Sequence, residues 1–297
     1  MKILLFGRNG QVGWELQRSL APLGELVALD RAGDQALCGD LADAQGVAQT
    51  VRTVRPDVIV NAAAYTAVDK AESDAQAAHA VNALAPAALA QAAREVNALL
   101  VHYSTDYVFD GSGTRPWTET DPTGPLGVYG RTKLEGEQGI AAVLPRHLVL
   151  RTSWVYGARG GNFAKTMLRL ARERDELKVV ADQVGAPTGA DLLADVTAHA
   201  VRSLLAGQGA PGIYHVAAAG ETSWHGYARF VVTHAQRAGQ ALKAGPDRVL
   251  PIPSSAFPTP AQRPHNSRLD THRFRTTFGL ALPSWDHGVT RMLQEIL

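Results

Sequence analysis

A single cysteine, Cys38, stands in the 297 residues, so no intramolecular disulfide can form, and that usage suits a reducing compartment. Its place near a strand end reads as that of a small packed residue. Charge of either sign is equally short. Lys and Arg number 29 against 28 Asp and Glu, a formal +1 that offers no field to a nucleic-acid backbone or an anionic membrane. Long apolar runs are missing too. The first run, Ile3 to Phe6, stops at Gly7, whereas a membrane span takes about 20 apolar residues and a signal peptide needs a longer run with a cleavage site. Removing a presequence would destroy the first strand, because a glycine loop follows it at once. A cytoplasmic protein with no nucleic-acid or membrane partner is expected. What is present, 45% hydrophobic and 19% charged residues, is enough for a core without disulfides or structural metal.

The first half alternates two periodicities. Apolar runs at Lys2–Phe6, Leu26–Leu29, Val58–Val60, Leu99–Tyr103 and His147–Arg151 read as buried strands. Between them, Val12–Leu20, Val47–Val54 and a stretch from about Tyr129 carry helical spacing. The alanine-rich stretch 75–96 is also helical, with a break or kink expected at Pro86. Such alternation over short links predicts a parallel, doubly wound α/β sheet. In the second half, helices are expected over 163–174, 191–205 and 224–238 and a strand over 212–217. Five prolines in 251–264 argue against regular structure there and for a binding loop. Residues 1–150 form the expected dinucleotide-binding domain. Residues 151–297 form mainly a smaller mixed α/β substrate-binding domain, some of whose segments return to the first.

Between the first strand and helix, Gly7, Gly10 and Gly13 make a G-x-x-G-x-x-G loop. A tight turn needs the first glycine, close approach of a pyrophosphate the second, and helix–sheet packing the third. The helix N-terminus then meets the diphosphate charge. Asp30 ends the second strand, where a carboxylate binds an adenosine ribose and favours NAD. Arg8 and Arg31 flank it, and either guanidinium can pair with the 2′-phosphate of NADP. The sequence leaves NADH and NADPH both open. Asp40 and Leu41 are placed to cradle the adenine.

Tyr129 and Lys133 lie four residues apart, on one face if helical. A phenol with a pKa near 10 is a poor proton carrier at neutrality, and a neighbouring ammonium is expected to lower it. Thr105, in Ser104-Thr105-Asp106 at a strand end, supplies a hydroxyl that can hold a carbonyl oxygen against the tyrosine. Glycine loop, strand-end hydroxyl and Y-x-x-x-K, in that order, resemble the extended short-chain dehydrogenase/reductase superfamily. Within it, segments 6–16, 61–72, 102–109, 151–156, 162–168, 185–189 and 263–269 are similar to the dTDP-4-dehydrorhamnose reductase family along nearly the whole chain.

That resemblance implies a Rossmann-type fold and reduction of the C4 ketone of dTDP-4-dehydro-L-rhamnose by NADPH or NADH, the last step toward dTDP-L-rhamnose. It implies a catalytic set of Thr105, Tyr129 and Lys133. Cofactor contacts would come from Gly10, Gln11, Val12, Asp30, Asp40, Leu41, Ala62, Ala63, Ala64, Tyr65, Thr66 and Tyr103, with Tyr129 and Lys133. The dTDP-sugar would be met by Thr105, Asp106 and Trp154. The family also implies a homodimer, and some bacterial members hold Mg²⁺ at the dimer interface through carboxylates. Glu15 matches one such position, but Asp191 stands where a glutamate is expected and is one methylene shorter. A sugar dehydratase or epimerase is the nearest rival, yet Tyr107 occupies the place after Asp106 where dehydration commonly uses an acid. A nucleotide-binding regulatory subunit is the other, and it would not need Thr105, Tyr129 and Lys133 together.

Overall fold

The computed structural model describes residues 1–34 and 36–297. The apolar runs of the first half become strands β1 (Lys2–Phe6), β2 (Glu25–Leu29), β3 (Val58–Asn61), β4 (Leu99–Thr105) and β5 (His147–Thr152). A sixth strand, Gly212–His215, joins beside β5, giving the order sixth-β5-β4-β3-β1-β2 with every pairing parallel. Period-2 alternation sends successive side chains to opposite faces. Ile3 and Leu5 pack with Leu16 and Leu20 of helix α1 (Gln11–Leu20) and with Leu193 and Val201 of the helix Ala190–Leu205. Leu4 and Phe6 pack with Val47 and Val51 of helix α2 (Ala44–Val54) and with Leu89 of the helix Ala85–Val96. Both faces of the sheet are thus covered, which is why its strands read as continuous apolar runs. The order reverses between β1 and β3, and the carboxyl ends of the strands there open the crevice that such sheets use for ligands.

Pro86 does not break the stretch 75–96; of the break or kink expected there, the structure shows a π turn just upstream. The helix Ala75–His79 runs through a π turn, Ala80–Leu84, directly into Ala85–Val96. The Ala85 N–H bonds the Ala80 carbonyl, so the wider register leaves the Asn82 carbonyl free of the missing Pro86 donor. Gly136, on the helix Val128–Val143, fits against that carbonyl; a Cβ there would lie 2.2 Å from it.

A separate apolar cluster gathers the second half. Met167 and Leu168 of the helix Phe163–Glu173 meet Tyr227 and Val231 of Trp224–Arg237 and Val289 and Met292 of Trp285–Ile296. The proline-rich stretch is more regular at its start than its composition suggests. Val249–Ile252 pairs in parallel with Leu177–Val180, with Pro251 opposite Val179. A two-stranded ribbon has free edges, so a residue without an N–H is tolerated. Farther on, Arg263 grips Asp69 with two hydrogen bonds of 3.0 and 2.9 Å, tying this stretch to the mouth of the crevice. Among the described residues no helix is long and apolar enough to cross a membrane.

Candidate active site

A cavity of about 1140 Å³ opens at the carboxyl ends of the strands. Gly7, Gly10, Gln11 and Val12 line it from the glycine loop, and Asp30, Asp40 and Leu41 from beyond β2. Ala62, Ala63, Ala64, Tyr65 and Thr66 enter after β3; Tyr103, Thr105 and Asp106 enter at the end of β4. Tyr129, Lys133 and Trp154 complete the residues that the sequence singled out. Gly13 lies outside the lining and has a packing task. A Cβ on it would sit 2.0 Å from the Gly7 carbonyl oxygen. Gly7 itself adopts φ +88°, with its Cα face against Ala63 N and the Ala62 carbonyl carbon. Gly10, by contrast, meets no protein atom closer than 3.4 Å at its Cβ position, so the space that it keeps open belongs to the cavity. Helix α1 starts at Gly10 with no side-chain cap, leaving its first N–H groups beside that space.

At the β2 end the two arginines are already engaged. Arg8 Nη2 lies 2.9 Å from Asp30 Oδ2, and Asn9 Nδ2 donates to the same oxygen at 2.9 Å. The Arg8 hydrogen bond is the main cause holding the Asp30 carboxyl below its usual range. Arg31 pairs with Asp40 at 3.1 Å. The cavity therefore presents a carboxylate whose charge is compensated by a neighbouring guanidinium.

The catalytic candidates meet at the floor. Tyr129 and Lys133 share the helix Val128–Val143, and Thr105, lining the same floor, donates to Asp106 Oδ1 at 3.1 Å. Burial pushes the phenol up to about 12, against the lowering expected from a lysine neighbour. The reason is where the amine points. Lys133 Nζ donates to the Tyr103 carbonyl at 2.6 Å and lies 3.1 Å from His102 Nε2. Burial lowers the Lys133 ammonium to about 8, with Glu137 pulling the other way. Burial also raises Asp106 to about 6, so it is largely ionised at neutral pH. Ser104 Oγ and Thr152 Oγ1, buried on the same lining, have no hydrogen-bond partner among the described residues.

Trp154 is one of three non-glycine residues with positive φ among the described residues, at +50°. A bulky residue held there stores strain, and such strain collects at ligand sites. Its indole stacks on Trp224 with centroids 3.6 Å apart and planes 14° apart, while Gly185 leaves room beneath it. Trp224, which also lines the cavity, was missed at the sequence level, as were Lys70 and Asp74 at its rim. Asp74 accepts from the Tyr65 hydroxyl at 3.0 Å. Only the seating of Trp224 behind the Ser223 cap, whose hydroxyl accepts from the Gly226 N–H, marks its helix start in sequence.

The suggested magnesium carboxylates do not form a site within the chain. Glu15 pairs with Arg18 at 3.2 Å and Asp191 with Arg291 at 3.3 Å. Among the described residues no three His, Cys, Asp or Glu side chains cluster in a way that could hold a metal. Within one chain both carboxylates are taken up by arginines, and no chemistry is routed through a metal ion.

The family model described as RmlD substrate binding domain matches residues 1–297. A dTDP-4-dehydrorhamnose reductase of Escherichia coli (strain K12) is 56% identical over 296 residues, covering 100% of this chain and 98% of the relative. One from Burkholderia thailandensis is 50% identical, with 100% and 99% covered. The crystal structure of the Clostridium acetobutylicum reductase superposes with a TM-score of 0.89 at 37% identity, covering 100% of this chain and 99% of that one. The Bacillus anthracis reductase in complex with NADP gives 0.88 at 34%, with 99% of each chain covered. The chain belongs to the dTDP-4-dehydrorhamnose reductase family.

Proposed function

We propose that this chain reduces the C4 ketone of dTDP-4-dehydro-β-L-rhamnose to dTDP-β-L-rhamnose with NAD(P)H, closing dTDP-L-rhamnose synthesis, and that Tyr129 is its proton donor. The observation that carries this reading is the meeting of Thr105, Tyr129 and Lys133 at the floor of a cavity whose far end is the glycine loop. When bound, the reduced nicotinamide supplies the hydride that C4 receives. Gly10, Gln11 and Val12 would hold its pyrophosphate at the start of α1, and Asp30 with Arg8 would meet its adenosine ribose. Thr105 holds the ketone oxygen by turning its hydroxyl proton from Asp106 to the substrate. Tyr129, protonated at neutral pH because burial holds its phenol near 12, gives that oxygen a proton as negative charge develops. Asp106, ionised beside Thr105, accepts a sugar hydroxyl, and the stacked Trp154 and Trp224 offer a flat apolar face to the sugar nucleotide. The purified protein is expected to oxidise NADPH or NADH only when the dTDP-keto sugar is present. A folded, cofactor-binding sample without turnover would overturn the reading.

Cofactor choice turns on Arg8. With its guanidinium on Asp30, the carboxylate is screened and a 2′-phosphate is tolerable. Arg8→Ala leaves Asp30 uncompensated, so NADPH affinity should fall about tenfold more than NADH affinity. Titration of both reduced cofactors by fluorescence reads that ratio. Equal losses would mean that Arg8 serves the loop rather than the choice.

A further inference from the structure

The glycine loop is gripped by a segment far along the chain. Asn162, which precedes the helix Phe163–Glu173, stands 151 positions from Gln11, yet its Nδ2 donates to Gln11 Oε1 at 3.2 Å. The orientation of both amides follows from partners that act in one sense only. A backbone N–H can only donate, and the Lys165 N–H lies 3.1 Å from one end of the Asn162 amide, which makes that end Oδ1. A carbonyl can only accept, and the Gly157 carbonyl lies 2.7 Å from the other end, which makes it Nδ2. The second N–H of Nδ2 then faces Gln11, and the atom that it meets must be Oε1. The Gln11 NH₂ is left over. It makes no hydrogen bond among the described residues, on a side chain that lines the cavity where helix α1 begins.

Residues 157–161 cover the Oε1 end of this amide. A Cβ on Gly160, whose φ is +78°, would stand 3.3 Å from Gln11 Cγ, and one on Gly157 would stand 3.6 Å from Gln11 Oε1. The segment is fastened at both sides. Lys165 Nζ donates to the carbonyl oxygens of Ala158 and Gly160, and the Arg159 guanidinium sits over Trp14 of α1, 3.6 Å from the ring centroid.

We propose that Asn162 is a positioning residue for the dinucleotide: by occupying Gln11 Oε1 it turns the Gln11 NH₂ toward the diphosphate, adding a side-chain donor to the uncapped N–H groups of α1. The proposal rests on the reading of the glycine loop as the diphosphate site. A glutamine without such a partner presents either end of its amide, and the carbonyl end repels a phosphate oxygen. Fixing the amide beforehand removes that alternative and spares the ordering of a long side chain on binding. The effect belongs to the dinucleotide alone, so it is expressed before any sugar nucleotide arrives.

The test is a pair of substitutions on the full chain. Asn162→Ser keeps a hydroxyl to cap its helix but removes the amide donor. Kd for NADPH, read by fluorescence without sugar nucleotide, should rise about tenfold. Gln11→Ala should weaken binding by a similar factor, and adding Asn162→Ser to it should cost nothing more. A merely structural Asn162 would weaken binding as much in Gln11→Ala as in the parent. That result, or an unmoved Kd in Asn162→Ser, overturns the proposal and leaves the cofactor reading in place; a parent that binds no NADPH overturns both. Should Asn162→Ser fail to fold, the side-chain ¹⁵N–H signals of Gln11 in the parent decide. NADPH is expected to slow their exchange with water, and unchanged exchange overturns the assigned donor.

Discussion

Tyr129→Phe is expected to bind NADPH as the parent does and to lose about 10²–10⁴-fold in kcat. The substitution removes one oxygen and keeps the ring, which packs edge-on against Tyr107 with centroids 5.5 Å apart. Lys133 remains held by the Tyr103 carbonyl, so the floor of the cavity keeps its shape. What disappears is the proposed proton donor. Because the interaction is made as charge develops, the loss should fall on kcat with KM little changed. Single-turnover rates beside cofactor Kd values separate the two. A variant with the parent's rate would mean that water delivers the proton.

Gly13→Ala should lower both stability and dinucleotide affinity, although alanine ordinarily strengthens a helix by about 1 kcal/mol over glycine. The sign reverses because the added methyl would lie 2.0 Å from the Gly7 carbonyl oxygen and 2.7 Å from its carbon. Gly7 cannot retreat. Its own Cα is backed by Ala62 and Ala63 at the start of the loop after β3. The turn between β1 and α1 must lift instead, at an overpacking cost of about 1–3 kcal/mol. Several degrees should go from Tm, at about 2–4 °C per kcal/mol for a chain of this class. The first N–H groups of α1 move with the turn, so Kd for NADPH should rise at least about tenfold. Melting curves with and without NADPH read both effects, since ligand stabilisation falls with affinity. A higher Tm with unchanged Kd would show that the close packing is dispensable.

Much of this was legible in the residues because its signals are local. A strand buried on both faces announces itself as an apolar run, as Lys2–Phe6 and Val58–Asn61 do. The glycine loop and the pair Tyr129 and Lys133 are defined by spacing along one element. The rest depends on contacts between distant segments, which leave no periodic trace. Trp224 reaches the cavity only because its helix packs under Trp154. Arg8 and Arg31 read as free guanidinium groups until the fold set Asp30 and Asp40 beside them. The lowered phenol expected from a lysine neighbour failed for the same reason: β4 offers the amine a carbonyl and an imidazole first. Pro86 marks the place of an irregularity but not its form: a π turn just upstream absorbs what a regular helix could not.

That turn also constrains how the chain can change length. Asn82, inside it, clamps Tyr65 at both backbone ends, its Oδ1 accepting from the Tyr65 N–H at 2.9 Å and its Nδ2 donating to the Tyr65 carbonyl at 3.1 Å. Deleting one residue between 80 and 84 would restore an ordinary helix and rotate its N-terminal part by about 100° relative to its C-terminal part. The clamp and Pro86 could not both keep their places. A helix that looks overlong by one residue is thus a gauge block for the loop beside the cavity, and a redesign that regularises it would trade helical tidiness for a misplaced Tyr65.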